Sequence, residues 1–251
     1  MSGAALPLLI AAVIAGGATQ RVSGMGMGLV LSPVLALLLG PALGVTVTNC
    51  VTLTSALLIG YAMRTNIDWK AFAVIAPAAV AGSIPGALIV RSTPGPWLSV
   101  LIGAIILAAL AITLWADRSR RLGRLTGRLW LVPFAAGGAL LNAVSGVAAP
   151  IFIIYAVASR WDQRSFSATL QPAFAWIGFL SVASKTLIGA TPALPTLWIA
   201  PIIIAAIIAG IALGTLLSRR VSTQFARRIA VAAAGLGAVS TLLRGLADAL
   251  G

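Results

Sequence analysis

Short polar or Pro/Gly punctuation divides the chain into eight apolar stretches, at roughly residues 4–41, 43–63, 69–90, 96–116, 130–158, 164–190, 195–217 and 226–247. Six of them have the length of one membrane-spanning helix, about 20 residues. Residues 4–41 are too long for one helix and are interrupted by the run Ala18 to Gly28, which holds Gln20, Arg21, Ser23, Gly24 and Gly26. Residues 130–158 are interrupted by Asn142-Ala143-Val144-Ser145-Gly146 and then Pro150. The pieces on either side make about 20 Å of helix each, against a hydrocarbon core of about 30 Å. Half-length helices meeting at a glycine-rich break read as re-entrant hairpins. The alternative is one long kinked helix at each place.

Composition narrows the class. Of 251 residues, 60% are hydrophobic and 8% charged, and mean hydropathy is +1.08. Soluble domains carry about 25% charged residues, so the pattern describes an all-α polytopic membrane protein. The chain has no histidine, no glutamate, four aspartates and one cysteine, Cys50. That set excludes His-based triads, His-ligated metals and an internal disulfide. It points away from an enzyme and implies no cofactor and no metal.

The net charge of +13 would suggest nucleic acid in a soluble protein, but loop placement accounts for it here, and no nucleic-acid partner is expected. With eight plain crossings, nine cations face one side and seven the other. With both broken stretches entering and leaving on the same side, the split becomes thirteen to three, a strong positive-inside bias. The hairpin topology is preferred, with the 117–129 linker cytoplasmic and both termini outside; two short full crossings in place of each hairpin give the same parity. The initial apolar run lacks a basic n-region and is read as structure, not as a signal peptide.

An internal repeat follows from two drifting offsets. Shifting by 122 places Gln20 on Asn142, Ser23 on Ser145, Gly24 on Gly146 and Asn49 on Gln171; a shift of 128 places Gly82, Gly86 and Arg91 on Gly210, Gly214 and Arg219. Each half holds a broken, re-entrant hairpin and three spans, so the two repeats have inverted topology: 1–116, the linker 117–129, and 130–251. Broken elements at corresponding places of an inverted repeat mark a secondary transporter's site. The Gly82/Gly86 and Gly210/Gly214 pairs read as close helix packing.

At each break a second half-helix starts, with free N–H groups and the positive end of its dipole toward the bundle centre, which suits an anion. Gly24, Gly26 and Gly28 let backbone approach a ligand, and Gly146 offers it an N–H. Ser23 and Ser145 supply hydroxyls, and Gln20, Asn142, Asn49 and Gln171 supply amide donors; the alternative for Asn49 and Gln171 is interhelical hydrogen bonding. Arg21 either charges the cavity or snorkels to the surface. Lys185 is read as interfacial. No aspartate falls at mid-membrane, which disfavours a proton antiporter with a carboxylate relay; export on the membrane potential and sodium coupling both stay open. Trp69, Trp97, Trp115, Trp130, Trp161 and Trp198 read as interfacial belts, and Trp176 as packing.

The run SGMGMGLVLSPVLALLLG, then Thr48-Asn49, then the turn Asn66-x-Asp68-Trp69 into a Gly-x-x-x-Gly helix, resembles the sulfite exporter TauE/SafE family over essentially the whole chain. The second half departs from it, with Ser145-Gly146-Val147-Ala148-Ala149-Pro150 where a second glycine-rich run is usual. The resemblance implies a multi-pass bacterial inner-membrane permease that exports sulfite, sulfoacetate or related organosulfonates. Partners are then a small anionic substrate and the lipid bilayer, and a homodimer is compatible with such a bundle. An anion channel, or a permease for a carboxylate or inorganic anion, is the alternative.

Overall fold

Proline and short polar caps set the helix boundaries. Pro41 and Pro150 sit in the first turns of their helices, where a missing N–H costs nothing. Asp68 accepts from Ala71 N at 3.0 Å, Asp162 from Ser165 N at 2.9 Å and Ser222 from Phe225 N at 3.3 Å, each closing a helix start. The computed structural model describes residues 5–23, 27–118, 125–191, 199–217 and 220–251. Among them lie ten α-helices: α1 (Ala5–Ser23), α2 (Met27–Leu39), α3 (Pro41–Ala62), α4 (Trp69–Ser92), α5 (Gly95–Arg118), α6 (Leu131–Ser145), α7 (Ala149–Ser159), α8 (Gln163–Ile188), α9 (Ile199–Leu217) and α10 (Thr223–Leu250). α3, α4, α5, α8 and α10 contain the five segments long and apolar enough to cross a membrane.

Both long apolar stretches are broken and folded back. A Cβ on Gly138 of α6 would meet the Phe152 ring of α7 at 2.9 Å, and one on Gly16 of α1 would meet Met27 and Leu31 of α2 at 3.3 and 3.9 Å. Residues eleven to fifteen positions apart in a continuous helix would be separated by about 16–22 Å. A merely kinked helix is therefore excluded in both places. The second hairpin turns at Gly146, whose φ of +74° is the left-handed conformation that glycine adopts without strain.

Packing pairs the two halves crosswise. α1 lies on α9 and α6 on α4; α2 packs on α10 and α7 on α5; α3 meets α8, and α5 meets α10. The glycine contacts repeat this exchange residue by residue. A Cβ on Gly82 would overlap the Ala136 carbonyl, and one on Gly86 would lie 2.9 Å from Leu140 O; one on Gly210 would lie 2.7 Å from Ile14 O, and one on Gly214 2.7 Å from Ala18 O. Ala136 and Leu140 correspond to Ile14 and Ala18 by the offset of 122, and the glycines correspond by 128. Lipid chains are as apolar as leucine, so close backbone approach, not hydrophobic burial, holds such helices together. Large apolar residues accordingly stay on the outer surface, among them Leu57, Leu88, Ile208 and Leu236.

The turn before α4 is tied to the far end of the linker. Asp68 caps α4, pairs with Arg128 at 3.0 Å, and donates its own N–H to Thr169 Oγ1 at 2.8 Å. Partial burial pushes the Asp68 carboxyl up, but the Ala71 N–H and the Arg128 guanidinium outweigh it, so the group lies below the usual carboxylate value. A depressed folded pKa stabilises above the ordinary carboxylate pKa, and that stabilisation disappears as pH falls through the depressed value. Asp68→Ala should therefore lower stability by about 1 kcal/mol at neutral pH, the usual worth of a cap. The difference from wild type should vanish at strongly acidic pH, as read from thermal unfolding in detergent at several pH values.

Candidate functional site

Backbone inside a bilayer has no water to satisfy it, so each carbonyl freed at a broken helix needs a partner. The break between α6 and α7 supplies them from four elements. Asn142 O accepts from Gly146 N at 2.8 Å and from Asn49 Nδ2 at 3.4 Å. Ala143 O accepts from Lys185 Nζ at 3.2 Å. Ser145 O accepts from Ser32 Oγ on α2. Gly28, at the start of α2, lies so close that a Cβ there would overlap the Gly146 carbonyl oxygen. Glycine at 28 is thus required by contact between the two halves.

The amides in this region bond to one another. Asn142 Nδ2 donates to Asn49 Oδ1 at 3.0 Å, and Asn49 Nδ2 donates to Ser181 Oγ at 2.6 Å. Asn49, Ser181 and Lys185 are fully buried. Lys185 was expected at the interface; α8 instead brings it one turn beyond Ser181, where it caps the carbonyl end of α6. Its signal was present in the sequence as the spacing Ser181, Lys185 on one helical face, but only the fold places Ala143 O within reach.

On the other side of this seal lies a cavity of about 650 Å³, room for about twenty waters at roughly 30 Å³ each. Its walls are α7, from Pro150 to Val157, and α8, from Gln163 to Phe174, with the start of α2, Gln20 of α1 and Thr52 of α3 opposite. Val147, Ala148 and Ala149 line it where α7 begins, so the positive end of α7 opens into the cavity, and its first N–H groups have no partner in their own helix. Arg160, Trp161, Gln163 and Arg227 stand at the mouth; Arg160 and Gln163 are exposed.

Five of the residues singled out from sequence line this cavity: Gln20, Gly28, Asn142, Gly146 and Gln171. Asn49 lies behind the seal, and Ser145 returns its hydroxyl to Leu141 O at 2.8 Å instead of offering it to a ligand. Arg21 takes the surface reading: it is exposed and donates from Nε to Thr215 Oγ1 at 3.1 Å. The Ser23 side chain, Gly24 and Gly26 lie outside the described residues. Trp176 packs as expected, donating to Ala76 O at 2.9 Å.

Two substitutions separate scaffold from site. Lys185→Ala orphans the Ala143 carbonyl and opens a hole in the seal, so stability should drop by about 2–4 kcal/mol. Thermal unfolding in detergent would measure it, and an unchanged midpoint would contradict the capping role. Arg160 ends α7 with φ +54°, the one non-glycine positive φ among the described residues, a conformation costing about 1–2 kcal/mol for a side chain. Arg160→Gly should therefore unfold no earlier than wild type, or slightly later, while anion uptake into the cavity weakens.

The comparisons with known proteins come to one finding. The family model described as Sulfite exporter TauE/SafE matches residues 8–241, nearly the whole chain. No curated protein and no solved structure matches it. Matched along almost its full length, and built of apolar helices that can cross a membrane, the chain belongs to the sulfite exporter TauE/SafE family of membrane transporters.

Proposed function

We propose that the protein is a secondary transporter, working as an exporter, of small sulfur-containing anions such as sulfite, sulfoacetate or other organosulfonates. The observation that carries this reading is the cavity that runs from an arginine-flanked mouth to the N-terminus of α7. Cations at the entrance raise the local concentration of an anion, and the α7 dipole with its unpaired N–H groups receives it near the break. Arg160 and Arg227 belong to the side that carries thirteen of the cations in the hairpin topology. By the positive-inside rule the cavity then opens to the cytoplasm of a bacterial inner membrane, with the 117–129 linker on that side and both termini outside.

Two inverted repeats, 1–116 and 130–251, working by alternating access, account for the asymmetry of the packing. α2 packs along α3, whereas the corresponding α7 and α8 form two walls of the cavity. That is one half closed and the other open. The Asn49–Asn142–Ser181 seal blocks the far end, which supports an alternating cycle over a continuous anion channel.

Flux into and out of proteoliposomes tests the reading, with sulfite, sulfoacetate, taurine and sulfate loaded in turn. The expected result is saturable movement of at least one sulfur anion, accelerated by a potential negative on the cavity side, since each charge gains about 2.3 kcal/mol per 100 mV. Folded protein that moves none of them would overturn it, and flux that does not saturate would favour the channel.

A further inference from the structure

Among the described residues, Gln20 Oε1 on α1 and Gln171 Oε1 on α8 are buried and have no hydrogen-bond partner. Buried polar atoms in folded proteins are almost always satisfied. Both residues line the cavity, and α1 and α8 barely touch. The two oxygens are themselves shut away from solvent, so the missing partner belongs to the protein in another arrangement of its helices.

Internal correspondence identifies that arrangement. Helix boundaries recur at two offsets: Ser23 and Ser145 end α1 and α6, Met27 and Ala149 start α2 and α7, and Pro41 and Gln163 start α3 and α8, each pair 122 residues apart. Gly95 and Thr223 start α5 and α10, 128 apart. At the first offset Gln20 corresponds to Asn142 and Gln171 to Asn49. Asn142 and Asn49 are bonded to each other, Nδ2 to Oδ1, at 3.0 Å. The orphaned pair is the counterpart of the bonded one.

Packing shows what separates the two pairs. Many helix contacts occur together with their exchanged counterparts: α1–α9 with α6–α4, α2–α10 with α7–α5, α1–α2 with α6–α7, and α1–α10 with α6–α5. The large mismatches involve α3 or α8. α3 packs along α2, where a Cβ on Gly44 would overlap the Leu35 carbonyl, whereas α8 hardly meets α7. α8 packs along α4, with Trp176 Nε1 donating to Ala76 O at 2.9 Å, whereas α3 barely touches α9. α3 and α8 hold each other closely: a Cβ on Gly178 would lie 3.1 Å from Asn49 O, and one on Gly60 3.2 Å from Gln171 Cβ.

We infer that Gln20 and Gln171 are the second gate of the transport cycle. When the α3–α8 pair shifts to the exchanged position, Asn49 leaves Asn142, and Gln171 meets Gln20 with one amide donating to the other. Gln171 spends one of its two N–H bonds on Ser167 O at 3.2 Å and keeps the other for this contact. The new bond closes the present cavity. Its counterpart opens between α2 and α3, at positions matching Phe166, Ser167 and Leu170 of the present wall, which are Gly44, Val45 and Thr48. The start of α2 at Met27 then takes the place of the start of α7. This rests on the transport reading above and names the groups that turn its cavity over.

Thiol labelling of purified protein in detergent, without substrate, tests the inference. Cys50→Ser removes the only cysteine. In that background Ser167→Cys reports the present cavity, and Thr48→Cys, at a position now fully buried, reports the other. A hydrophilic maleimide should label the first quickly and the second slowly. Gln20→Leu and Gln171→Leu should each slow labelling at Thr48→Cys about tenfold, the scale of one buried hydrogen bond lost from the second state alone. The double variant should be no slower than either single one, because both residues share one bond. Asn142→Leu breaks the present seal and should speed the same reaction. Thermal unfolding and labelling at Ser167→Cys should stay as in the parent, since neither oxygen is bonded in this state. Labelling at Thr48→Cys that ignores both glutamine variants would overturn the inference, as would slowing that adds up in the double variant. Sulfur-anion flux without these labelling effects removes the gate and keeps the transport reading; the labelling effects without flux do the reverse.

Discussion

Everything in this bundle depends on how backbone polar groups are satisfied where a helix is broken inside the membrane. A continuous helix keeps its own N–H and C=O groups paired; a break at the centre releases carbonyls on one side and N–H groups on the other. Here three of the released carbonyls are engaged by side chains of other helices. Lys185, Asn49 and Ser32 reach across from α8, α3 and α2 to Ala143, Asn142 and Ser145. The N–H side, at the start of α7, opens into a polar cavity. One break thus presents bonded carbonyls on one face and the first N–H groups of α7 on the other, and the helix dipole gives the two faces opposite polarity.

Glycine makes this geometry attainable. Gly28 brings α2 against the Gly146 carbonyl, and the pairs Gly82/Gly86 and Gly210/Gly214 bring α4 onto α6 and α9 onto α1. A side chain at these points would push backbone away and take Ser32 out of reach of Ser145. The same contacts are exchanged between halves, which is how a repeat with its second copy turned over would pack.

The polar side chains divide along the same line. By sequence, Gln20 corresponds to Asn142 and Asn49 to Gln171. In the fold, Asn142 and Asn49 bond to each other in the seal, while Gln20 and Gln171 keep unpaired oxygens beside the cavity. The equivalence of the pairs in the sequence is broken by the conformation: one pair is bonded to itself and the other is not.

Much was legible in the order of residues alone. Apolar run length, the loop cations and the glycine-rich interruptions determine an all-α membrane bundle with two broken stretches, because these properties depend on local composition and on the thickness of a bilayer. The spans predicted from 43, 69, 96, 164 and 226 begin within three residues of α3, α4, α5, α8 and α10. The direction of each hydrogen bond was not legible. Nothing local tells Ser145 to bond Leu141 instead of a ligand, or turns the Gln171 amide so that its oxygen is left over. Arg21 and Lys185 make the point most plainly. Each is a long cation near an apolar segment; sequence leaves Arg21 open between cavity and surface and reads Lys185 as interfacial. Tertiary structure exposes Arg21 beside Thr215 and buries Lys185 against Ala143, because packing α8 on the end of α6 brings a carbonyl released by the break within reach of the Lys185 ammonium.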